Sequence, residues 1–336
     1  MKKTVLRIFS VPLLLLWLLA CSQPPAEVLL SGKTMGTTYN IKFVNDLALD
    51  EQALQMEIDQ ALVLVNKQMS TYDPESELSR FNTWDSTEPF ALSAATLGVM
   101  AEAKRLGKLS DGLLDVTVGP LVNLWGFGPN AKPEIIPTPE EIEAVRARTG
   151  LDKLILGDGW AKKTQANLYV DLSTIAKGYG VDVVADMLLA KGLQHFLVEI
   201  GGEMRLSGVK ASGQPWRVAI EKPVSGERAV EKIISVGNNA IATSGDYRNY
   251  YEQDGVRYSH LIDPTTGAPI KHNLVSVTVV HPSSMTADGL ATAISIMGPD
   301  KAKAFAEEEN LAVFLITREK DGLKEYNSHA FEPYLQ

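Results

Sequence analysis

Between Asp50 and Met69 apolar residues recur every third or fourth position, at Leu54, Ile58, Ala61, Leu62, Val65 and Met69. That spacing predicts a helix with one buried stripe. Residues Ser93 to Leu106 repeat the pattern, with Ser93 placed as N-cap and Gly107 just past the end. Thr138-Pro139-Glu140-Glu141 opens a third helix, with Pro139 suited to its first position. Short β-rich runs lie between these. Val28 to Leu30 and Tyr39 to Val44 read as strands around a turn at Lys33 to Thr37. Leu168 to Asp171 reads as a strand leading into a helix from Ile175 to Ala190. Phe196 to Ile200, Trp216 to Ile220, Ile233 to Val236, Val275 to Val280 and Leu311 to Thr317 read as further strands. Met285 to Met297 is helical and stops at Gly298-Pro299. Strand and helix signals alternate without repeats or linkers. The class is therefore α/β or α+β, as one continuous unit over residues 27–336.

The N-terminus follows another pattern. A basic stretch from Met1 to Arg7 precedes an apolar run of 13 residues, Ile8 to Ala20. This is a secretory signal pattern, short of the roughly 20 residues that span a membrane. It ends Leu18-Leu19-Ala20-Cys21, which resembles a bacterial lipobox, and Cys21 is the sole cysteine. The expectation is a signal peptide over residues 1–20, acylation of Cys21, and a short tether over residues 21–26. An anchored chain facing the periplasm follows. Ser22 is not the aspartate that goes with inner-membrane retention, so both membranes stay open. Without Cys21 no thiol is left for a disulfide or a cysteine metal site. The net charge of −9 becomes −12 once the three basic residues of the signal are removed. That balance argues against nucleic acid as a partner.

Several clusters can carry chemistry. Asp171-Leu172-Ser173-Thr174-Ile175-Ala176-Lys177-Gly178 places a hydroxyl cap and a lysine at a helix start, a setting that favours phosphate. A capped helix with a solvated lysine accounts for it equally well. Asp288 and Thr292 stand at i and i+4, so their oxygens share a helix face and form a hard-oxygen pair suited to Mg2+. Gly289 between them costs ~1 kcal/mol relative to alanine, which close approach of a ligand or backbone would explain. On its own an acid at a helix start needs no metal. His260 precedes the turn Asp263-Pro264-Thr265-Thr266-Gly267 and has the chemistry of a general base. A structural histidine is the commoner case at such a place. Asp111 to Gly128 mixes glycines and aromatics as a loop around a flat ligand would, or a tight core turn. Met35 and Tyr72 offer a thioether and a ring to a planar group. Glu199 to Glu203 runs into a glycine pair, a place of close backbone approach. No phosphate-binding P-loop is present, and the dinucleotide glycine fingerprint does not appear after a strand.

Together, in this order, these segments resemble the ApbE family of flavin transferases from about Leu29 to Ile316. The resemblance rests on Lys33 to Tyr39, Met69 to Tyr72, Ser76 to Asn82, Asp115 to Gly128, Asp171 to Asp182, Glu199 to Glu203, Ala240 to Tyr250, Tyr258 to Gly267 and Ala287 to Thr292. It implies an α+β, T-fold-related unit of two lobes with FAD in the cleft between them. It implies that Met35, Tyr72, Leu113, Leu114, Asp115, Asp171, Lys177 and Ile262 line the FAD site. Thr174, Asp288, Ala291 and Thr292 match the Mg2+ site, some through backbone oxygen. His260 matches the usual base, with a nearby carboxylate as the other choice. The implied reaction moves FMN from FAD to a threonine hydroxyl on a flavoprotein subunit of a respiratory redox complex and releases AMP. Two rivals remain: a Mg2+-dependent FAD pyrophosphatase, and a non-catalytic FAD-carrying lipoprotein.

Overall fold

The computed structural model describes residues 26–128, 136–223, 229–245, 249–253 and 255–335. The expected signal peptide, Cys21 and the tether up to residue 25 lie outside the described residues, as do residues 246–248 of the family-like stretch Ala240 to Tyr250.

From the N-terminal side the elements are β1 (Glu27–Thr34), β2 (Thr37–Val44), α1 (Glu51–Met69), α2 (Glu77–Thr83), β3 (Phe90–Ala91), α3 (Ala94–Leu109), α4 (Gly119–Leu124) and α5 (Pro139–Arg146). Then come β4 (Leu154–Gly157), β5 (Trp160–Lys163), α6 (Ala176–Ala190), β6 (Phe196–Ile200), β7 (Glu203–Ser207), β8 (Val218–Glu221), β9 (Val230–Ile234) and β10 (Ala240–Gly245). The remainder is β11 (Tyr250–Gln253), β12 (Val256–Ser259), β13 (Ile262–Asp263), β14 (Ala268–Pro269), β15 (Leu274–His281), α7 (Ser284–Met297), α8 (Pro299–Glu308), β16 (Ala312–Glu319) and β17 (Gly322–Asn327).

Eight strands form one sheet in the order β1-β2-β6-β7-β10-β15-β16-β17, and every pairing in it is antiparallel. Helices beside an antiparallel sheet make the fold α+β. Both β15 and β16 read as near-continuous apolar runs because both of their faces are covered. Val277, Val279, Val313 and Leu315 face the cluster under the helices. Phe314 and Ile316 face the other way, against Trp216, Ile234 and Phe331. Helix α7 is buried nearly throughout, its polar positions included, held between β10, β15, α3 and α6. Two buried acids, Asp288 within it and Asp182 of the neighbouring α6, need a physical account, since buried acids are costly.

The local signals worked where the cap lies beside the helix. Ser93 caps α3 through the Thr96 N–H, and Thr138 and Glu141 form a capping box at α5 with Pro139 in its first turn. Four expectations are corrected. Leu168 to Asp171 is not a strand: the Asn82 side-chain amide donates to the Val170 carbonyl and accepts from its N–H, both at 2.8 Å, and the Asp171 N–H donates to the Val116 carbonyl at 2.7 Å. A side chain thus replaces the ladder. Helix α6 has no hydroxyl cap; its N-cap is Ile175, which makes no side-chain cap bond. Gly107 lies inside α3, which runs on to Leu109, because that helix face packs against Leu151 and the Leu114 carbonyl with no room for a Cβ. Strands β8 and β9 are shifted from the expected Trp216 to Ile220 and Ile233 to Val236; Trp216 instead donates its indole N–H to the Ser207 carbonyl.

Candidate functional site

Two hollows meet at the start of α6. The first has a volume of about 770 Å3 and lies between the tip of the β1–β2 hairpin, the end of α1 and the first turn of α6. Met35 and Gly36 form the two-residue hairpin tip, with φ of 48° and 71°. Positive φ at both positions is the geometry that lets a tight hairpin keep its twist, and for Met35 it is uncommon. Held there, the Met35 side chain packs on both large core clusters and over Gly180, whose missing Cβ would meet its methyl group. Tyr72 stands in the same wall and is 75% exposed. Ser70 fixes this turn by accepting from the Tyr72 and Asp73 N–H groups. A thioether and an exposed ring across a hollow suit a flat, apolar-faced ligand.

The second hollow, about 350 Å3, is lined by Leu113, Leu114, Asp115, Thr174, Lys177, Glu203, His260, Ile262, Asp288 and Thr292 among others. Asp171, Ser173 and Lys177 line both hollows. The structure therefore brings together all the sequence-named residues of the described chain but one. Ala291 is buried in the main core cluster and lines neither hollow.

The floor of the second hollow is electrostatic. Lys177 Nζ stands 3.0 Å from Glu203 Oε1 and 3.7 Å from Asp288 Oδ2. The Gly178 N–H donates to the same Asp288 oxygen at 3.0 Å. Burial pushes the Asp288 carboxyl above its usual range, against the pull of Lys177 and that N–H. Burial pushes Glu203 up to about 7 against the attraction of Lys177, with Asp288 adding to the rise. Burial alone would lower Lys177, but the two carboxylates hold it above its ordinary value, so it stays charged. The Thr174 hydroxyl and Glu203 Oε2 are buried without a hydrogen-bond partner. Asp115 is also raised by burial, opposed by hydrogen bonds from the Thr117 N–H and hydroxyl at 2.7 and 2.6 Å.

His260 follows β12 directly. Its Nδ1 lies 3.0 Å from the Asn249 carbonyl, a group that can only accept, so in the neutral ring Nδ1 carries the proton and Nε2 the lone pair. Its ring meets Phe127 edge-on at 6.4 Å, at the end of a stack through Tyr251, Tyr258 and Trp125. Gly289 is explained differently from the expectation: a Cβ there would meet the side chains of Leu106 and Leu114, so helix packing requires it, not a ligand.

Among the described residues no group of three or more His, Cys, Asp and Glu side chains comes together as a metal cage. The set at hand is one carboxylate with the hydroxyls of Thr174 and Thr292. That set fits a hard cation which draws the rest of its shell from water and phosphate. The unpartnered Thr174 oxygen fits such a role.

The ApbE family model matches residues 35–315. This chain belongs to the ApbE family. It is 57% identical over 322 residues to a Vibrio cholerae protein named FAD:protein FMN transferase, covering 96% of each chain. It superposes on the flavin transferase ApbE from Vibrio cholerae with a TM-score of 0.87 at 56% identity, over 93% of this chain and 100% of that one. For the apo flavinyl transferase ApbE of Pseudomonas stutzeri the TM-score is 0.86 at 40% identity, over 93% and 97%. In this ApbE chain three residues of the site had no role assigned from sequence. Glu203 lies in a family-like segment but carries no local signal for its ion pair. Asp182 accepts from the Ser284 and Met285 N–H groups and the Ser283 hydroxyl, so an acid on α6 caps α7 and sets the height of Asp288. Asn82 fixes the approach to Asp171. Asp182 and Asn82 act across more than eighty residues of chain and Glu203 across 26, in each case between different elements, where no periodicity points.

Proposed function

We propose that this chain transfers FMN from FAD to a threonine hydroxyl of an acceptor protein, with Mg2+ as cofactor. The observation that carries the proposal is the junction of the two hollows: a space for a flat ring opens directly onto Lys177, Thr174 and His260, with Asp288 and Thr292 buried behind them. The isoalloxazine belongs between Met35 and Tyr72. The pyrophosphate then reaches Lys177, whose retained charge suits a phosphate. Leu113, Leu114, Asp115 and Ile262 lie beyond, on the side left to the adenosine.

The threonine oxygen forms a bond to the FMN phosphorus while the bond from that phosphorus to the AMP oxygen breaks. The threonine proton goes to His260 Nε2, and AMP leaves with its electron pair. His260 is held for this by the Asn249 carbonyl on its other nitrogen. Asp288, Thr174 and Thr292 would hold Mg2+, which when bound neutralises charge on the leaving phosphate. The names of the relatives support FAD and a protein acceptor. A subunit of a respiratory redox complex is the acceptor class proposed here. Acylation of Cys21 would hold the enzyme at the envelope membrane facing the periplasm. Among the described residues no helix is long and apolar enough to cross a membrane.

The test incubates the chain from Ser22 onward with FAD, Mg2+ and an acceptor domain bearing an exposed threonine motif. Intact mass of the acceptor is the readout. The expected result is a gain of one FMN phosphoester, lost on chelation and reduced ~10²-fold or more by Asp288→Ala. Free FMN and AMP without acceptor labelling would replace transfer by hydrolysis. FAD bound but intact would leave a carrier.

A further inference from the structure

Lys177 has two carboxylate neighbours, and they are not equivalent. Asp288 Oδ2 lies 3.7 Å away and already accepts the Gly178 N–H. Glu203 Oε1 lies closer, at 3.0 Å, and the other oxygen of that carboxylate is buried with no partner. Glu203 reaches this position because Gly201 and Gly202, with φ of 60° and 108°, turn β6 into β7 beside the lysine stem. A Cβ on Gly201 would stand 3.4 Å from Lys177 Cδ. A divalent cation on Asp288 and an ammonium on the same carboxylate repel one another. Something must draw the ammonium aside, and the unused Glu203 oxygen offers it a second acceptor.

We infer that Glu203 is a positioning residue that holds Lys177 when Asp288 is committed to the cation, so that lysine and metal do not compete for one carboxylate. This rests on the reading of Asp288 as a Mg2+ ligand. Glu203 thereby lets one site carry two positive groups against a pyrophosphate. Without it Lys177 falls back on Asp288 and excludes the metal.

The test is Mn2+ binding to the full chain holding ADP, read by loss of the free-ion EPR signal. ADP supplies the adenosine pyrophosphate half without a flavin to transfer. Glu203→Gln is expected to weaken Mn2+ binding on the order of ten-fold. In a Lys177→Met background the same substitution should change the affinity by less than about two-fold, since the competitor is gone. Glu203→Asp keeps the charge but withdraws it by one methylene, and an intermediate loss is expected; it also serves if Glu203→Gln shows no cooperative melt. Equal losses in both backgrounds would overturn the inference, because Glu203 would then act on the metal directly. Unchanged binding in Glu203→Gln would overturn it too. If Asp288→Ala binds Mn2+ as tightly as the parent, the metal reading itself fails, a result distinct from either.

Discussion

At the scale of single residues, the site depends on acids kept where acids are costly. Glu203 shows how that cost registers in stability. Its carboxyl titrates at about 7 in the folded chain against an ordinary value of 4.5. Between those values the folded state keeps a proton that the unfolded chain has released. Stability therefore falls as pH rises through that window, and no more is lost above about 7. Glu203→Gln cannot titrate. Its melting temperature should gain on the parent's between about pH 4.5 and 7 and then run parallel, as followed by thermal melts across that range. A constant difference would mean that burial does not shift Glu203. Sequence named Lys177 and Asp288 as separate candidates. That they share an ion-paired cluster with Glu203 was not legible, since residues 177, 203 and 288 come from three distant elements.

At the scale of elements, the crossing of α6 and α7 decides whether the cluster forms at all. Gly178 makes the crossing possible: a Cβ there would stand 2.3 Å from the Ser284 carbonyl oxygen and 2.8 Å from Met285 Cα, both backbone atoms that cannot turn aside. Gly178→Ala should cost ~1–3 kcal/mol in urea unfolding and lower FMN transfer, because it parts Lys177 from Asp288. A stable, fully active variant would show that the helices can separate without consequence. The helices were legible where their caps are adjacent in sequence, as at Ser93 and Thr138. Helix α7 was legible too, over Met285 to Met297, but the acid it borrows from α6 at its start, Asp182, was not. The segment Leu168 to Asp171 failed for the same reason. Its composition suits a strand, but its hydrogen bonds go to Asn82 and Val116, and composition does not record the partner.

At the scale of the whole molecule, the antiparallel sheet supplies a rigid floor and the site opens above its helix-covered face. On the proposed reading the attachment residue, Cys21, precedes residues 35–315, which the family model matches and which hold the proposed site. Cys21→Ala should therefore move the protein from the membrane fraction to the soluble fraction while the purified variant keeps its transfer rate, as checked by fractionation and acceptor mass; continued membrane association would sink the anchor reading. By itself the sequence narrowed the class to α/β or α+β, with the family resemblance choosing α+β, and it marked the longer helices and twelve of the residues that line the two hollows. Periodicity and caps are local properties, and the family-like segments keep their order along the chain. Only the tertiary structure decided which of these residues meet, which carboxylate pairs with Lys177, and why Gly178 and Gly289 are glycines. Those are questions of contact between elements remote in sequence, where close packing and the loss of water, not spacing along the chain, set the energy.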